Sequence, residues 1–275
     1  ARFLADKPVS IIFGVGKVAA QRFAKDGFHK ISDLQRANEH DLMRRYGAEG
    51  QRLWRLARGI DARWIAGDAA KPEDVQKVVD ETMARLGRID VLVNNAGATW
   101  GAPAEDHPLE AWDKVMNLNV RSGFLLAQQV GRRSMIPRKS GRIINVASIA
   151  GLGGNPPFMQ TIAYNTSKGA VVNFTRALAC EWGQLGINVN AIAPGFFPSK
   201  MTKGLLAAVG EENLASRAPL LRLGDDEDLK GAALLFASDA GKHITGQVIP
   251  VDGGWSLGGT SITSGTLQQT AGGGH

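Results

Sequence analysis

Ile89-Asp90-Val91-Leu92-Val93-Asn94-Asn95-Ala96-Gly97 decides the fold. A short, nearly continuous apolar run that closes on turn residues predicts a strand buried on both faces, the kind found in parallel sheets. Outward from it, strand and helix alternate. Ala62–Gly67 reads as a strand and Pro72–Leu86 as a helix before it. After it come a long helical stretch from about Leu109 to Met135, a strand at Arg142–Ala147 and a helix from about Ala163 to Leu185. A strand at Ile187–Ala193, a helix at Glu227–Ser238 and a last strand at Gln247–Val251 complete the series. Alternation of this kind implies an α/β fold: a Rossmann-like, doubly wound parallel sheet with helices on both faces. Such sheets bind cofactor and substrate at the carboxyl ends of their strands, where Asn94–Gly97, Ser148 and Pro194-Gly195 lie.

Tyr164-Asn165-Thr166-Ser167-Lys168 carries the chemistry. A tyrosine and a lysine four residues apart share one face of a helix. The ammonium then favours the phenolate and draws a phenol that normally titrates near 10 towards working pH. Such a phenol can exchange a proton with a carbonyl or alcohol oxygen while a hydride moves at carbon. The spacing by itself is ordinary on a solvated helix. Its weight comes from Asn94-Asn95-Ala96-Gly97, Ser148 and Pro194-Gly195-Phe196-Phe197, each closing a strand-like run in the right order.

At 275 residues, 44% hydrophobic and 21% charged, the chain suits one large α/β domain or two modest ones with a sizeable core. Cys180 is the single cysteine, so an internal disulfide framework is excluded and a reducing compartment, the cytoplasm, is expected. No apolar run approaches the roughly 20 residues that cross a bilayer, the N-terminus has no secretory pattern, and neither a membrane partner nor a metal site is expected. The net charge of +6 is uneven: residues 1–66 hold 13 Lys+Arg against 7 Asp+Glu, while residues 67–275 balance at 19 each. That asymmetry fits either a phosphate-rich partner or a solvated helical face.

Residues from about 65 to 256 resemble the short-chain dehydrogenase/reductase family, on the motifs just quoted. The resemblance implies an NAD- or NADP-dependent oxidoreductase acting on a small-molecule secondary alcohol or ketone. It implies a catalytic tetrad of Asn119, Ser148, Tyr164 and Lys168. Tyr164 would be the general acid/base, Ser148 would hydrogen-bond the reacting oxygen, and Lys168 would lower the phenol pKa and hold the nicotinamide ribose. Asn119 would kink its helix and hold a water in a relay to Lys168. Asp68 and Ala69 would sit on the adenine side, Asn95, Ala96 and Gly97 along the adenosine, and Pro194, Gly195, Phe197 and Ser199 at the nicotinamide end. Asn155-Pro156-Pro157-Phe158-Met159 and Phe196–Leu206 would wall the substrate, the second as a lid. These surroundings look most like the sugar-acid and 3-oxoacyl reductase branches, gluconate-type dehydrogenases slightly ahead, and members are commonly homotetramers.

The start of the chain departs from that pattern. The family's Thr-Gly-x-x-x-Gly-x-Gly turn is replaced by Phe13-Gly14-Val15-Gly16-Lys17-Val18-Ala19. Gly14-x-Gly16-x-x-Ala19 after Val9–Phe13 passes for a broader dinucleotide fingerprint, with Asp33 placed as the distal acid after the poor strand Phe28–Ile31. The same residues, with Lys7-Pro8-Val9-Ser10, Asp33-Leu34, Tyr46-Gly47 and Ala57-Arg58-Gly59-Ile60-Asp61, also resemble the helix-hairpin-helix thumb region of Y-family DNA polymerases. That resemblance covers about residues 1–64 and implies sequence-independent contact with a DNA backbone, without polymerase carboxylates. The two resemblances meet near Ile60–Asp68, so the chain reads as a mosaic of an atypical segment 1–64, a catalytic region 65–256 and a flexible tail 257–275. A fusion, a recombinant and a sequence assembled from two sources all fit. Two readings of the first quarter stand open: a mostly helical segment, or strand, helix, weak strand, helix, strand completing the sheet. Without such a strand Val91–Val93 would keep an unpaired edge. If residues 1–64 do grip DNA, the rest could be an impaired scaffold.

Overall fold

A computed structural model describes residues 5–9, 17–57, 65–199, 201–225 and 227–257. The chain divides into two compact units, Ala1–Ile65 and Ala66–His275.

The described part of the first unit is helical. Its helices are α1 (Lys17–Lys25), α2 (Ile31–Arg36), α3 (Glu39–Tyr46) and α4 (Ala48–Ala57). Helix α3 starts because the Asn38 side chain accepts from the His40 N–H, which satisfies one of the orphan donors of the first turn. The apolar faces meet in a core of Val9, Phe23, Ile31, Leu34, Leu42, Leu53 and Ala57. Tyr46 closes it edge-on to Phe23, with ring centres 4.9 Å apart, and gives its hydroxyl proton to Asp26. Burial, with Asp26 adding to it, pushes that phenol up to about 12.

This arrangement corrects two expectations. Phe28–Ile31 is not a strand: one antiparallel bridge, Pro8 to Lys30, is present and α2 begins at Ile31. Asp33 does not close a strand either; its carboxylate accepts the His29 and Lys30 N–H groups ahead of α2, and those bonds hold it below its ordinary pKa. Gly14-Val15-Gly16, most of the strand expected at Val9–Phe13 and the Gly258–His275 tail lie outside the described residues. So do residues 62–64 of the strand expected at Ala62–Gly67; residues 65–67 have no regular structure. Among the described residues the first quarter is mostly helical; the strands that would complete the sheet fall largely outside them.

In the second unit α5 (Pro72–Leu86) leads to β1 (Val91–Asn94). A nearly unbroken helical path follows: α6 (Leu109–Met116), a π segment Asn117–Arg121, α7 (Ser122–Val130), a second π segment Gly131–Met135 and α8 (Ile136–Arg138). Then come β2 (Gly141–Val146), α9 (Ile162–Trp182), β3 (Ile187–Pro194), α10 (Lys203–Val209), α11 (Glu211–Ala215), α12 (Asp228–Ala237) and β4 (Val248–Val251). The described sheet has the order β1-β2-β3-β4, all parallel, with Leu92 beside Ile143, Ile143 beside Val189 and Ile192 beside Ile249.

Period-two alternation assigns the faces. Ile143 and Val189 pack with Val79, Ala127, Val130 and Leu178, so α5, α7 and α9 cover one face. Ile144 and Ile192 pack with Phe236 and its α12 neighbours on the other. Both faces of β2 and β3 are thus largely covered, which is why their sequences are predominantly apolar, with Asn145 and Asn190 buried by way of their own hydrogen bonds. Among the described residues no helix is long and apolar enough to cross a membrane.

Leu53, fully buried in the first unit's core, predicts a local stability effect. Leu53→Ala should cost about 2–5 kcal/mol in urea unfolding; a loss below about 1 kcal/mol would contradict that core.

Candidate active site

Four polar residues gather at the carboxyl end of β2. Ser148, two residues past the strand, caps a 3-10 turn at Ile149–Gly151, its hydroxyl accepting from the Ala150 N–H at 3.2 Å. The turn lies against the backbone of α9: a Cβ on Gly151 would stand 2.5 Å from the Lys168 carbonyl carbon. Only glycine allows that approach, and it brings Ser148 within hydrogen-bond reach of the Tyr164 hydroxyl.

Lys168 projects from the same face of α9. Its amine donates to the Val146 carbonyl at 2.7 Å and stands 5.6 Å from the centre of the Tyr164 ring. Asn119 reaches the cluster from the π segment between α6 and α7. A π turn re-aims a helix face and is frequent at functional sites, which matches the kink expected there. The Asn119 side chain accepts from the Ala98 N–H at 2.7 Å and donates to the Ala98 carbonyl at 2.9 Å and to Ser167 Oγ at 2.8 Å. Ser167 in turn donates to the Tyr164 carbonyl at 2.7 Å. Gly97 packs closely on both: a Cβ there would meet Asn119 Oδ1 at 3.3 Å and Lys168 Nζ at 3.6 Å.

The remaining candidates surround this cluster. Asn95 and Ala96 line a cavity of about 150 Å³ with Asn94, Asn119 and Leu126. Asp68 and Ala69 line a shallower one that shares Leu126. The buried Oδ1 of Asn94 has no hydrogen-bond partner among the described residues. Pro194 ends β3, and the Gly195 N–H donates to the Val251 carbonyl at 3.0 Å. Phe197 packs on Gly224. Ser199 and Thr202 are hydroxyl-to-hydroxyl at 3.0 Å. No group of three His, Cys, Asp or Glu side chains among the described residues could hold a metal ion.

Residues 12–256 match a short-chain dehydrogenase family model described as enoyl-(acyl carrier protein) reductase. The chain belongs to the short-chain dehydrogenase/reductase family. It is 35% identical over 243 residues to a 2-dehydro-3-deoxy-D-gluconate 5-dehydrogenase of Dickeya dadantii, covering 88% of this chain and 91% of that one. It is 35% identical to a 3-oxoacyl-[acyl-carrier-protein] reductase of Synechocystis, covering 88% and 92%. A gluconate 5-dehydrogenase from Burkholderia cenocepacia, solved in complex with NADP and tartrate, superposes with a TM-score of 0.65 at 36% identity, covering 69% of this chain and 73% of that one. The family match begins at residue 12 and so takes in most of the segment whose motifs resemble a polymerase thumb.

In this short-chain dehydrogenase/reductase the electrostatics differ from expectation in one respect. Burial pushes the Tyr164 phenol above its ordinary value, with the Ser148 hydrogen bond acting in the opposite direction. Lys168 does not draw the phenol down in this state. Its own ammonium, 5% exposed, is held at about 8 by burial. Desolvation disfavours both charged forms and outweighs their mutual stabilisation.

Ser167 is the positioning residue that the sequence reading passed over. Its signal was its place between Tyr164 and Lys168, one helical step from the catalytic face.

Because Lys168 falls from 10.5 to about 8, the unfolded chain holds the extra proton between those values. Stability therefore rises with pH across that window. Tyr164, whose pKa is raised, gives stability that is lost only above its ordinary value near 10. Urea unfolding should show stability climbing from about pH 8 to 10, with Lys168→Met removing the climb.

Proposed function

We propose that the chain interconverts a secondary alcohol and a ketone by hydride transfer with NAD or NADP, with a sugar acid or a 3-oxoacyl-like compound as substrate. The observation that carries this reading is the convergence of Ser148, Tyr164, Lys168 and Asn119 at the carboxyl end of β2, with Gly97 packed close against Asn119 and Lys168. The nicotinamide ring of the bound cofactor would supply or accept the hydride. Lys168 would hold its ribose, Asn95, Ala96 and Gly97 its adenosine side, Asp68 and Ala69 the adenine, and Pro194, Gly195, Phe197 and Ser199 the nicotinamide end. The cavity that Asn95 and Ala96 line beside Asn119 supports a ligand on this side of the cluster.

In the reducing direction Tyr164 gives its proton to the carbonyl oxygen as negative charge develops there. A phenol kept protonated by burial suits that step. Ser148 donates a hydrogen bond to the same oxygen and stabilises the developing charge. Lys168, its amine 5.6 Å from the centre of the Tyr164 ring, would return a proton to Tyr164 through an intervening hydroxyl or water, and the amine's pKa of about 8 keeps it a proton donor near neutral pH. Asn119, through Ser167 and Ala98, fixes the helix that carries both. In the oxidising direction the proton path reverses. The sugar-acid lean gains support from the relatives that act on gluconate derivatives and from the structure solved with tartrate, a dicarboxylate. A homotetramer in a reducing cytoplasm belongs to the same proposal.

A second reading has one observation in its favour: the first unit builds its own helical core, and the excess positive charge of the chain lies there. Under it residues 1–64 contact a DNA backbone. Affinity for duplex DNA should then fall steeply between 50 and 200 mM salt; no binding at the lower salt removes this reading.

Tyr164→Phe should reduce kcat by at least about 10³-fold, and Ser148→Ala by about 10²-fold, in an NAD(P)H absorbance assay with 5-keto-D-gluconate. Retained turnover in Tyr164→Phe would remove the phenol from the mechanism.

A further inference from the structure

We propose that Arg217 holds the carboxylate of an acidic substrate at the mouth of the Tyr164 cleft and so selects sugar acids over neutral ketones. This rests on the oxidoreductase reading above. The two loops that frame the mouth come from opposite sides. One runs from Ser148 through Phe158 into α9, and it holds the Trp100 loop by the Ala102 N–H to Gln160 carbonyl bond at 2.9 Å. The other runs from α11 to α12 and is fastened to the exits of β3 and β4. Leu220 N–H donates to the Gly253 carbonyl at 3.1 Å, and Gly224 N–H to the Phe196 carbonyl at 2.9 Å.

Arg217 joins the two. Its guanidinium carbon lies 5.3 Å from the centre of the Phe158 ring, and Phe158 is six residues before Tyr164 in the chain. The backbone of Arg217 is fixed on both sides: Leu214 and Ala218 are buried, and the Leu221 N–H closes a turn on the Ala218 carbonyl at 2.8 Å. The side chain is therefore aimed by a rigid base and held by the aromatic face, an arrangement that leaves the guanidinium edge free.

A charge partner accounts for the neighbouring arginine but not for this one. Arg222, five residues on, is forked onto Asp228 at 2.6 and 2.7 Å. Among the described residues no carboxylate pairs with Arg217. The two loops that meet here carry exposed apolar side chains, Phe158 on one and Leu220 and Leu221 on the other. A lone fork-shaped donor against the loop that leads into Tyr164 suits a planar carboxylate, because two parallel N–H···O bonds fix both distance and orientation. A small hydroxy- or keto-acid gripped at its carboxylate would present a carbon further along its chain to Tyr164.

The test compares 5-keto-D-gluconate with the neutral 3-oxobutanoyl thioester of N-acetylcysteamine, using full-length wild type, Arg217→Gln and Arg217→Lys. Gluconate binding is followed in parallel by calorimetry in the presence of NADP. In Arg217→Gln, KM for the acid and the Kd of gluconate should rise about 10- to 100-fold. Its kcat, its thioester kinetics and its melting temperature should stay near wild type. Arg217→Lys should recover part of the acid affinity, since it keeps the charge but not the fork. Equal losses on both substrates, or unchanged acid affinity, would overturn the assignment. Should wild type turn over neither substrate, the oxidoreductase reading falls on its own. Arg217 is then decided by the calorimetry alone: gluconate binding lost in Arg217→Gln supports it, and no binding or unchanged binding overturns it.

Discussion

One buried contact organises the catalytic half of the molecule: the Lys168 amine on the Val146 carbonyl, 2.7 Å away. An ammonium taken out of water is costly unless it is hydrogen-bonded. The last carbonyl of β2 is the acceptor that offsets this cost. Because the acceptor is backbone at a strand end, the bond pins a point on α9 to the carboxyl edge of the sheet. Tyr164, one turn earlier on the helix, is thereby set above Ser148. Gly151 is the steric counterpart of the same constraint, since any side chain there would separate the 3-10 turn from α9.

Around that bond, burial acts on the two titrating groups in opposite directions, raising the phenol and lowering the amine. Both are pushed towards their neutral forms, which opens a gap between values that start almost equal: the phenol moves above 10 and the amine falls to about 8. The phenol is therefore held in the form that gives a proton to a developing alkoxide. The helix spacing alone suggested a simpler picture, an ammonium acidifying its neighbour. Spacing fixes which side chains share a face but says nothing of how dry that face is. Dryness comes from β2, β3 and α6, which lie far from the pair in sequence.

The same distinction explains what was legible beforehand. Pro72–Leu86 was readable to the residue, and α9, β2 and β3 within one to three residues at each end, because continuous apolar runs and Pro/Gly boundaries are local signals. Asn119, Ser148, Tyr164 and Lys168 were recognisable as a motif set, and they converge. Phe28–Ile31 and Asp33 misled because a short apolar run followed by an acid can equally end a strand or begin a helix. In the first unit the helix won, since the amphipathic faces of α1 to α4 find a core among themselves. Ser167 and Arg217 were invisible for a different reason. Their significance lies in partners across the fold: Ser167 in Asn119, 48 residues back, and Arg217 in Phe158, on a loop that approaches from the other side of the cleft.

This separates the molecule's chemistry from its selectivity. The proton-handling groups stand just past β2, on α9 and on the π segment, where Asn119, Ser148 and Lys168 are buried. The residues that frame the mouth stand on loops with large exposed apolar side chains, Leu220 and Leu221 being 64% and 71% exposed. A rigid frame holds reacting atoms to the tolerances that proton and hydride transfer require. Loops can exchange side chains without disturbing that frame. Relatives that act on gluconate derivatives and on acyl-carrier thioesters can therefore share one sheet and one tyrosine. Under the assignment of Arg217, selectivity in this chain lies beyond the carboxyl edge, on side chains outside the core.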